Sequence, residues 1–319
     1  MRRFAVSLAI LVVILWGADR VVGTGMDALF RTSQSEEDGD TFRRAIAYRA
    51  PIIVCGSSRA QDHYEVDSLE TWLGAGAYNL GRGGSSGPLY EYGAAGIVLR
   101  HYVPRLWIME VDSEIDTTPE KLDRLSCFLP YVDEEPAAAE VVGLRSRYEP
   151  IRLLSKTYRY NSLVLSLLAP RLGKGVHHRN GFIALSGALV PGVVAQEPAA
   201  DSNPGAMLEQ PAEDSLKMRY LRKTVSALQS RGVVVVAVRS PHYLDSPQAM
   251  KKDRREEEHL SHLFRGLGVS YLDFSPLKQP EFGPARLYRD SWHLNVEGAT
   301  LFTHALADSL DNMRIALRP

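Results

Sequence analysis

The sequence predicts an α/β domain: a doubly wound, mainly parallel five-stranded sheet flanked by helices, with an apolar helix ahead of it and a large insert within it. Three observations carry that expectation. Short apolar runs recur near 50–55, before Asn79, and at 106–111, 233–238 and 269–273. Helical stretches separate them, which is the rhythm of a sheet built from crossover units. The run Leu106-Trp107-Ile108-Met109-Glu110-Val111 is almost continuously apolar, as a strand covered on both faces must be.

Each element follows in order. Arg2-Arg3 precede an uncharged run from Phe4 to Ala18, which ends at Asp19-Arg20. Basic residues before an apolar run read as a signal or an uncleaved anchor. Residues 1–23 are therefore expected to form a membrane anchor, with the rest of the chain outside the cytoplasm. The run has 15 residues, short of the roughly 20 that span a bilayer. Gly17-Ala18 lacks a small partner at the spacing of a cleavage site, with Trp16 in the way, and Val21-Val22-Gly23 is a tolerable alternative site; an anchor is favoured over a secreted form. Residues 24–47 are polar and acidic, as in Glu36-Glu37-Asp38, and read as a stalk. The domain then occupies 48–319. A first strand at 50–55 leads to a short polar helix near 62–73. A brief second strand ends in the Gly-rich turn Asn79-Leu80-Gly81-Arg82-Gly83-Gly84. A helix at 88–102 and the strand at 106–111 follow.

The rhythm then breaks. Residues 113–214 read as an insert or lid, helical in parts of 140–170, notably Tyr160 to Leu168, and rich in Gly, Pro, Ala and Ser from 171. Loops of such length are usually functional or disordered. A helix at 215–231 restores the pattern before the strand Val233 to Val238. A charged helix at 247–265, with the run Lys251 to Glu258 on its exposed face, leads to the last strand. The final helix runs from Val296 to Asn312, with Asn295 as its cap.

Composition excludes several classes. A net charge of −1 argues against a nucleic-acid binder. Two cysteines, Cys55 and Cys127, allow one disulfide, but Cys55 falls in a buried strand, which favours a buried thiol. No Cys/His spacing matches a zinc site, and His177-His178 have no third ligand at useful spacing. No metal or cofactor is expected.

The chemistry lies at the two ends of the domain. Asp290-Ser291-Trp292-His293 places a carboxylate one turn from an imidazole, the base half of a Ser-His-Asp device. Ile52-Ile53-Val54-Cys55-Gly56-Ser57-Ser58-Arg59 runs from an apolar strand into a tight turn bearing hydroxyls, where a nucleophile can be exposed. In open α/β sheets such sites lie at the carboxyl ends of the strands. Arg59 reads either as a guide for an anionic substrate or as a structural charge. Ser240-Pro241-His242-Tyr243 ends a strand on the same edge and is a candidate pocket segment.

These blocks, in this order, resemble the SGNH (GDSL-like) hydrolase superfamily, and within it a membrane-anchored branch that assists in acylating cell-envelope polymers. The resemblance covers about 48–112 and 215–312. It implies a flavodoxin-like three-layer sandwich with Ser58 as nucleophile, His293 as base and Asp290 as its partner. Asn79 matches the second block, and Gly84 its oxyanion-hole glycine, so the Ser58 and Gly84 amides are the expected oxyanion donors. The family usually carries Gly-x-Asn-Asp after the third strand; here stands Glu110-Val111-Asp112-Ser113-Glu114, without the Asn. Loss of one such donor costs about 10²–10³ in rate, and Ser113 is a candidate replacement. Ser57, Arg59, Asn79, Asp112, Ser113 and His242 are the expected pocket residues.

The implied activity is a serine O-acyl esterase or acyltransferase acting on acylated, chiefly acetylated, envelope or exported polysaccharide. One alternative is an accessory protein of the same fold without catalysis, binding glycan or a membrane-bound O-acyltransferase. A second is a lipase or thioesterase. Plain turn-stabilising roles for Ser57 and Ser58 compete with all three.

Overall fold

A computed structural model describes residues 1–32, 41–112, 121–163, 180–190, 215–315 and 317. Five parallel strands form one sheet: β1 (Ile52–Cys55), β2 (Ala77–Asn79), β3 (Leu106–Glu110), β4 (Val234–Arg239) and β5 (Ser270–Asp273). Their order is β2-β1-β3-β4-β5. The chain therefore winds outward one way after β1 and the other way after β3. Between those two strands the crossovers diverge to opposite faces and leave a crevice at their carboxyl ends.

Alternate residues of each strand feed two separate cores. Ile53, Cys55, Trp107, Met109, Val235 and Ala237 pack on one face. Ile52, Val54, Leu106, Ile108, Val236 and Val238 pack on the other. Both cysteines are buried free thiols. The first face is covered by α5 (Pro88–His101) and α8 (Leu216–Ser230), and by α9 (Pro247–Gly266) through Leu260 and Phe264. The second is covered by α3 (Ser58–His63), α4 (Val66–Leu73) and α10 (Val296–Asn312). Helix starts are set locally. Ser215 accepts from Met218 N at 3.2 Å, Ser246 from Ala249 N at 3.2 Å, and Asn295 from Gly298 N at 3.0 Å. The single polar helix expected at 62–73 is split in two, since α3 ends at His63 and α4 begins at Val66.

Two segments carry more regular structure than their composition suggests. The stretch 24–47 is not an extended stalk over its described part. Helix α1 (Arg2–Thr32) continues through it, and α2 (Thr41–Tyr48) follows. Phe30 packs on Tyr131 and Tyr160, at ring distances of 5.7 and 5.9 Å, and Phe42 stacks on Phe128 at 5.3 Å. A narrow apolar stripe docks these helices although the average composition is polar. Over its described part, the insert at 113–214 is packed into the domain. A 3₁₀ segment at Leu122–Tyr131 and α6 (Pro136–Gly143) build the first core with Leu125, Phe128, Ala138, Val141 and Val142. A short α7 (Glu149–Arg152) and a 3₁₀ turn at Thr157–Leu163 extend it. Phe182 joins the second core, and Asn180 O accepts from Asn79 N at 2.9 Å. His177, His178 and residues 164–170 and 191–214 lie outside the described residues.

Helix α1 is long and apolar enough to cross a membrane.

Candidate active site

The crevice holds a hydrogen-bonded chain of three side chains from opposite ends of the domain. Ser58 opens α3 directly after β1. Its Oγ lies 2.8 Å from His293 Nε2. His293 Nδ1 lies 2.9 Å from Asp290 Oδ1 and 3.1 Å from Oδ2. The Asp-His pair sits in a tight turn rather than on a helical turn. An antiparallel bridge between Tyr288 and Leu294 closes the loop, and Arg289 N donates to His293 O at 2.8 Å. Asp290 Oδ1 also accepts from the backbone N–H of Trp292 and of His293, each at 2.9 Å. Partial burial works to raise the Asp290 carboxyl. The donors from His293 and Trp292 outweigh it and hold the group below its usual range. The carboxylate thus fixes Nδ1 as the protonated nitrogen and leaves Nε2 free to accept from Ser58.

The same crevice contains a cavity of about 200 Å³ lined by Ser57, Ser58, Gly84, Asp112, Trp292 and His293, among others. Gly84 adopts a left-handed backbone, with φ of +64°. The glycine-rich turn is pressed onto α3: a Cβ on Gly81 would lie 2.3 Å from Gln61 N, so only glycine fits there. Gly83 N donates to Gln61 Oε1 at 3.1 Å, and Arg82 N to Gly56 O at 3.1 Å.

The other expected pocket residues divide. Ser57 and Asp112 line the cavity. Arg59 also borders it, but its guanidinium is committed inward. It is 4% exposed, lies 3.2 Å from Glu110 Oε1 and donates to the Ser240 carbonyl. Asn79 is not a pocket residue. It is fully buried, donates to Ala60 O at 2.6 Å and accepts from Gly81 N at 2.7 Å, so it braces the turn instead. His242 lies outside the cavity lining. It is held 3.0 Å from Asp253 and stacks on Trp292, with ring centres 6.2 Å apart. Ser113 lies outside the described residues.

Sequence reasoning missed a buried framework behind the triad. Leu294 N donates to His63 Nε2 at 3.0 Å, His63 Nδ1 meets Ser240 Oγ at 2.8 Å, and Ser240 Oγ reaches Glu110 Oε1 at 2.8 Å. Tyr64 also donates to Glu110. Burial pushes the Glu110 carboxyl up to about 7, while Arg59, Tyr64 and Ser240 work to keep it ionised. Glu91 was missed as well. It stands in the first turn of α5, borders the cavity and is 3% exposed, and its Oε2 has no hydrogen-bond partner among the described residues. Burial, reinforced by Asp112 and Glu110, raises its carboxyl well above the usual range. The protonated form is therefore favoured, and a neutral carboxyl can donate a hydrogen bond. Lys217, at 5% exposure, brings a buried cation to the same lining. No group of three or more metal-ligating side chains occurs among the described residues.

The sequence matches no protein-family model and no curated protein.

Proposed function

We propose that the chain is a serine O-acyl esterase or acyltransferase of the SGNH type. The observation that carries this is the Ser58–His293–Asp290 chain at 2.8 and 2.9 Å, opening on a cavity at the reversal point of the sheet. His293 Nε2 takes the Ser58 proton as Oγ attacks an ester carbonyl. The tetrahedral oxyanion collapses to acyl-Ser58, and the imidazolium returns the proton to the departing alcohol. Water or a sugar hydroxyl then takes the acyl group by the same steps in reverse. Ser58 and Gly84 line the crevice, and Ser58 N–H, at a helix start, has no acceptor within the helix, so these two N–H groups are the proposed oxyanion donors. Asp112 stands where the family carries an Asn donor. Glu91 and Lys217 are among the donors that line the cavity.

The site needs no cofactor. Helix α1 is apolar and long enough to span a membrane, and in this reading it is an uncleaved anchor with Arg2 and Arg3 on the cytoplasmic side and the domain at the outer face of a cytoplasmic membrane. The substrate class is acylated carbohydrate of the envelope or of exported polymer, and a membrane-bound O-acyltransferase is the partner that could supply acyl groups. Asp112 in place of the amide donor favours one rival: an accessory that keeps the fold and binds glycan without turnover.

The test is mass spectrometry of the full chain after p-nitrophenyl acetate or a fluorophosphonate probe. An adduct on Ser58 is expected, lost in Ser58→Ala and slowed at least about 10³-fold in His293→Ala. Full activity in Ser58→Ala overturns the proposal, and absence of any adduct and turnover supports the accessory.

A further inference from the structure

The apolar run of α1 has no cover from the rest of the described chain. Side chains from Phe4 to Trp16 are about half exposed or more, as Phe4 at 74%, Val13 at 66% and Trp16 at 61% show. Immediately after it, α1 is locked to the domain. Asp19 accepts from Ser155 Oγ at 2.6 Å, Lys156 N at 2.8 Å and Thr157 N at 3.1 Å. Arg20 donates to Leu154 O at 2.7 Å, and its guanidinium lies 5.3 Å from the Trp16 ring centre. The segment ending at Leu154 is therefore held at the level where the apolar run stops.

That segment has an unusual surface. Ile151 and Leu154, at 66% and 68% exposure, are the most exposed large apolar side chains in the described residues from 41 onward. Tyr148, at 49%, precedes them by one turn, and the exposed Arg147 and Arg152 flank them. The Arg147 guanidinium sits 4.6 Å from the Tyr148 ring centre. Exposed aliphatic side chains interleaved with Arg and an aromatic ring are the composition of a membrane-interface element.

Length points the same way. The uncharged run of 15 residues extends about 22 Å at 1.5 Å per residue, against a hydrocarbon core of about 30 Å. A short span is matched by thinning the bilayer or by drawing its flanks inward. Here the flank carries a docked domain with apolar side chains already facing out.

We infer that the surface formed by Tyr148, Ile151 and Leu154 with Arg147 and Arg152 lies in the headgroup–acyl boundary of an anionic lipid bilayer. The domain is thereby seated on the membrane in one orientation rather than tethered above it. This rests on reading α1 as an uncleaved anchor. The Arg side chains select anionic headgroups, and the aliphatic ones enter the upper acyl region.

The full chain in nanodiscs of equimolar phosphatidylcholine and phosphatidylglycerol tests this. Single-site variants Leu11→Cys, Ile151→Cys, Leu154→Cys and Leu301→Cys carry an environment-sensitive fluorophore, Cys55 and Cys127 being buried and spared. Labels at 151 and 154 are expected to resist an aqueous reductant several-fold longer than the label at 301, and to be quenched by lipid spin-labelled just below the headgroup. Reduction at 151 and 154 at the rate seen at 301, with 11 still protected, overturns the seat and leaves the anchor standing. Protection at 151 and 154 without lipid quenching assigns the face to a protein contact and also overturns it. Aqueous reduction at 11 removes the anchor, and the seat with it.

Discussion

His63 shows how much of the site depends on a residue that touches no substrate. Its Nε2 accepts from Leu294 N, so that nitrogen carries no proton. Burial first, then the charges of Arg59, His293 and His242, pulls its pKa well below the ordinary value, so the ring is neutral and Nδ1 carries the hydrogen. That hydrogen goes to Ser240 Oγ, whose own hydrogen goes to Glu110 Oε1. Every donor in the line has one acceptor, and the line ends one residue from His293. His63→Phe leaves the Leu294 N–H without an acceptor in a dry site, at about 1–3 kcal/mol. It is expected to lower kcat about 10-fold or more with little change in KM, and to lower the melting temperature. His63→Gln, whose amide offers both an acceptor and a donor, recovers part of the rate. Equal kcat in His63→Phe and wild type would sink the positioning role. Ser58, Asp290 and His293 were legible because each sits in a short local pattern. The framework of His63, Ser240 and Glu110 was not: its links, with the one to Leu294, span 130, 177 and 231 residues, and only Ser240 stood in a segment that the sequence marked for the pocket. Asn79 misled for the opposite reason: its place in a known block implied a pocket role, while its side chain is used to brace the turn.

At the scale of the element, α1 is the part whose character changed most between sequence and structure. Residues 24–47 are polar on average, yet Met26 and Phe30 lie four apart, on one helical face, and pack into the first core. So narrow a stripe is lost in composition, which is why a stalk was expected. The 3₁₀ segments at Leu122–Tyr131 and Thr157–Leu163 were obscure for a related reason, because they lack the 3.6-residue period that marks an α-helix. The docking of α1 depends on Gly23, where a Cβ would fall 2.6 Å from Lys156 Cβ and 2.8 Å from its carbonyl carbon. Gly23→Leu is expected to lift this part of the helix from the loop it grips, at about 1–3 kcal/mol. The Lys156 and Thr157 amides, which now donate to Asp19, should lose hydrogen-exchange protection about 10-fold or more. Turnover of a small soluble ester should stay near wild type, because the triad lies on other elements. Unchanged protection in Gly23→Leu would show that the helix is not gripped there.

Across the whole molecule, the parallel sheet was the most legible feature. Each strand is a run of apolar residues feeding two cores, and that pattern is visible without any contact being known. The strand order brings the ends of β1 and β3 together, and the turn after β2 and the loop before α10 reach the same crevice. This convergence crowds acidic groups into a partly dry region, and stability should register it. Asp62, on α3, is 8% exposed. Burial, with a further push from Asp290 and an opposing pull from His293, raises its carboxyl from 3.8 to about 6. Below about pH 3 the carboxyl is protonated in the folded and the unfolded chain, and it makes no difference to stability. As pH rises toward 6, the unfolded chain releases the proton while the folded chain still holds it. Unfolding is therefore favoured progressively, and the penalty is complete above about pH 6. Asp62→Asn removes this carboxyl and should raise stability by less than about 1 kcal/mol at pH 4. Its gain should grow through the window to as much as roughly 3 kcal/mol at pH 7. Glu91 and Glu110 push in the same direction and Asp290 in the opposite one, so total stability mixes several groups. Subtracting wild type from Asp62→Asn, by urea unfolding at each pH from 4 to 7, isolates the single carboxyl. A difference that stays flat across that range would mean that Asp62 is as well solvated in the folded chain as in the unfolded one, and that the crevice beside the triad is wet.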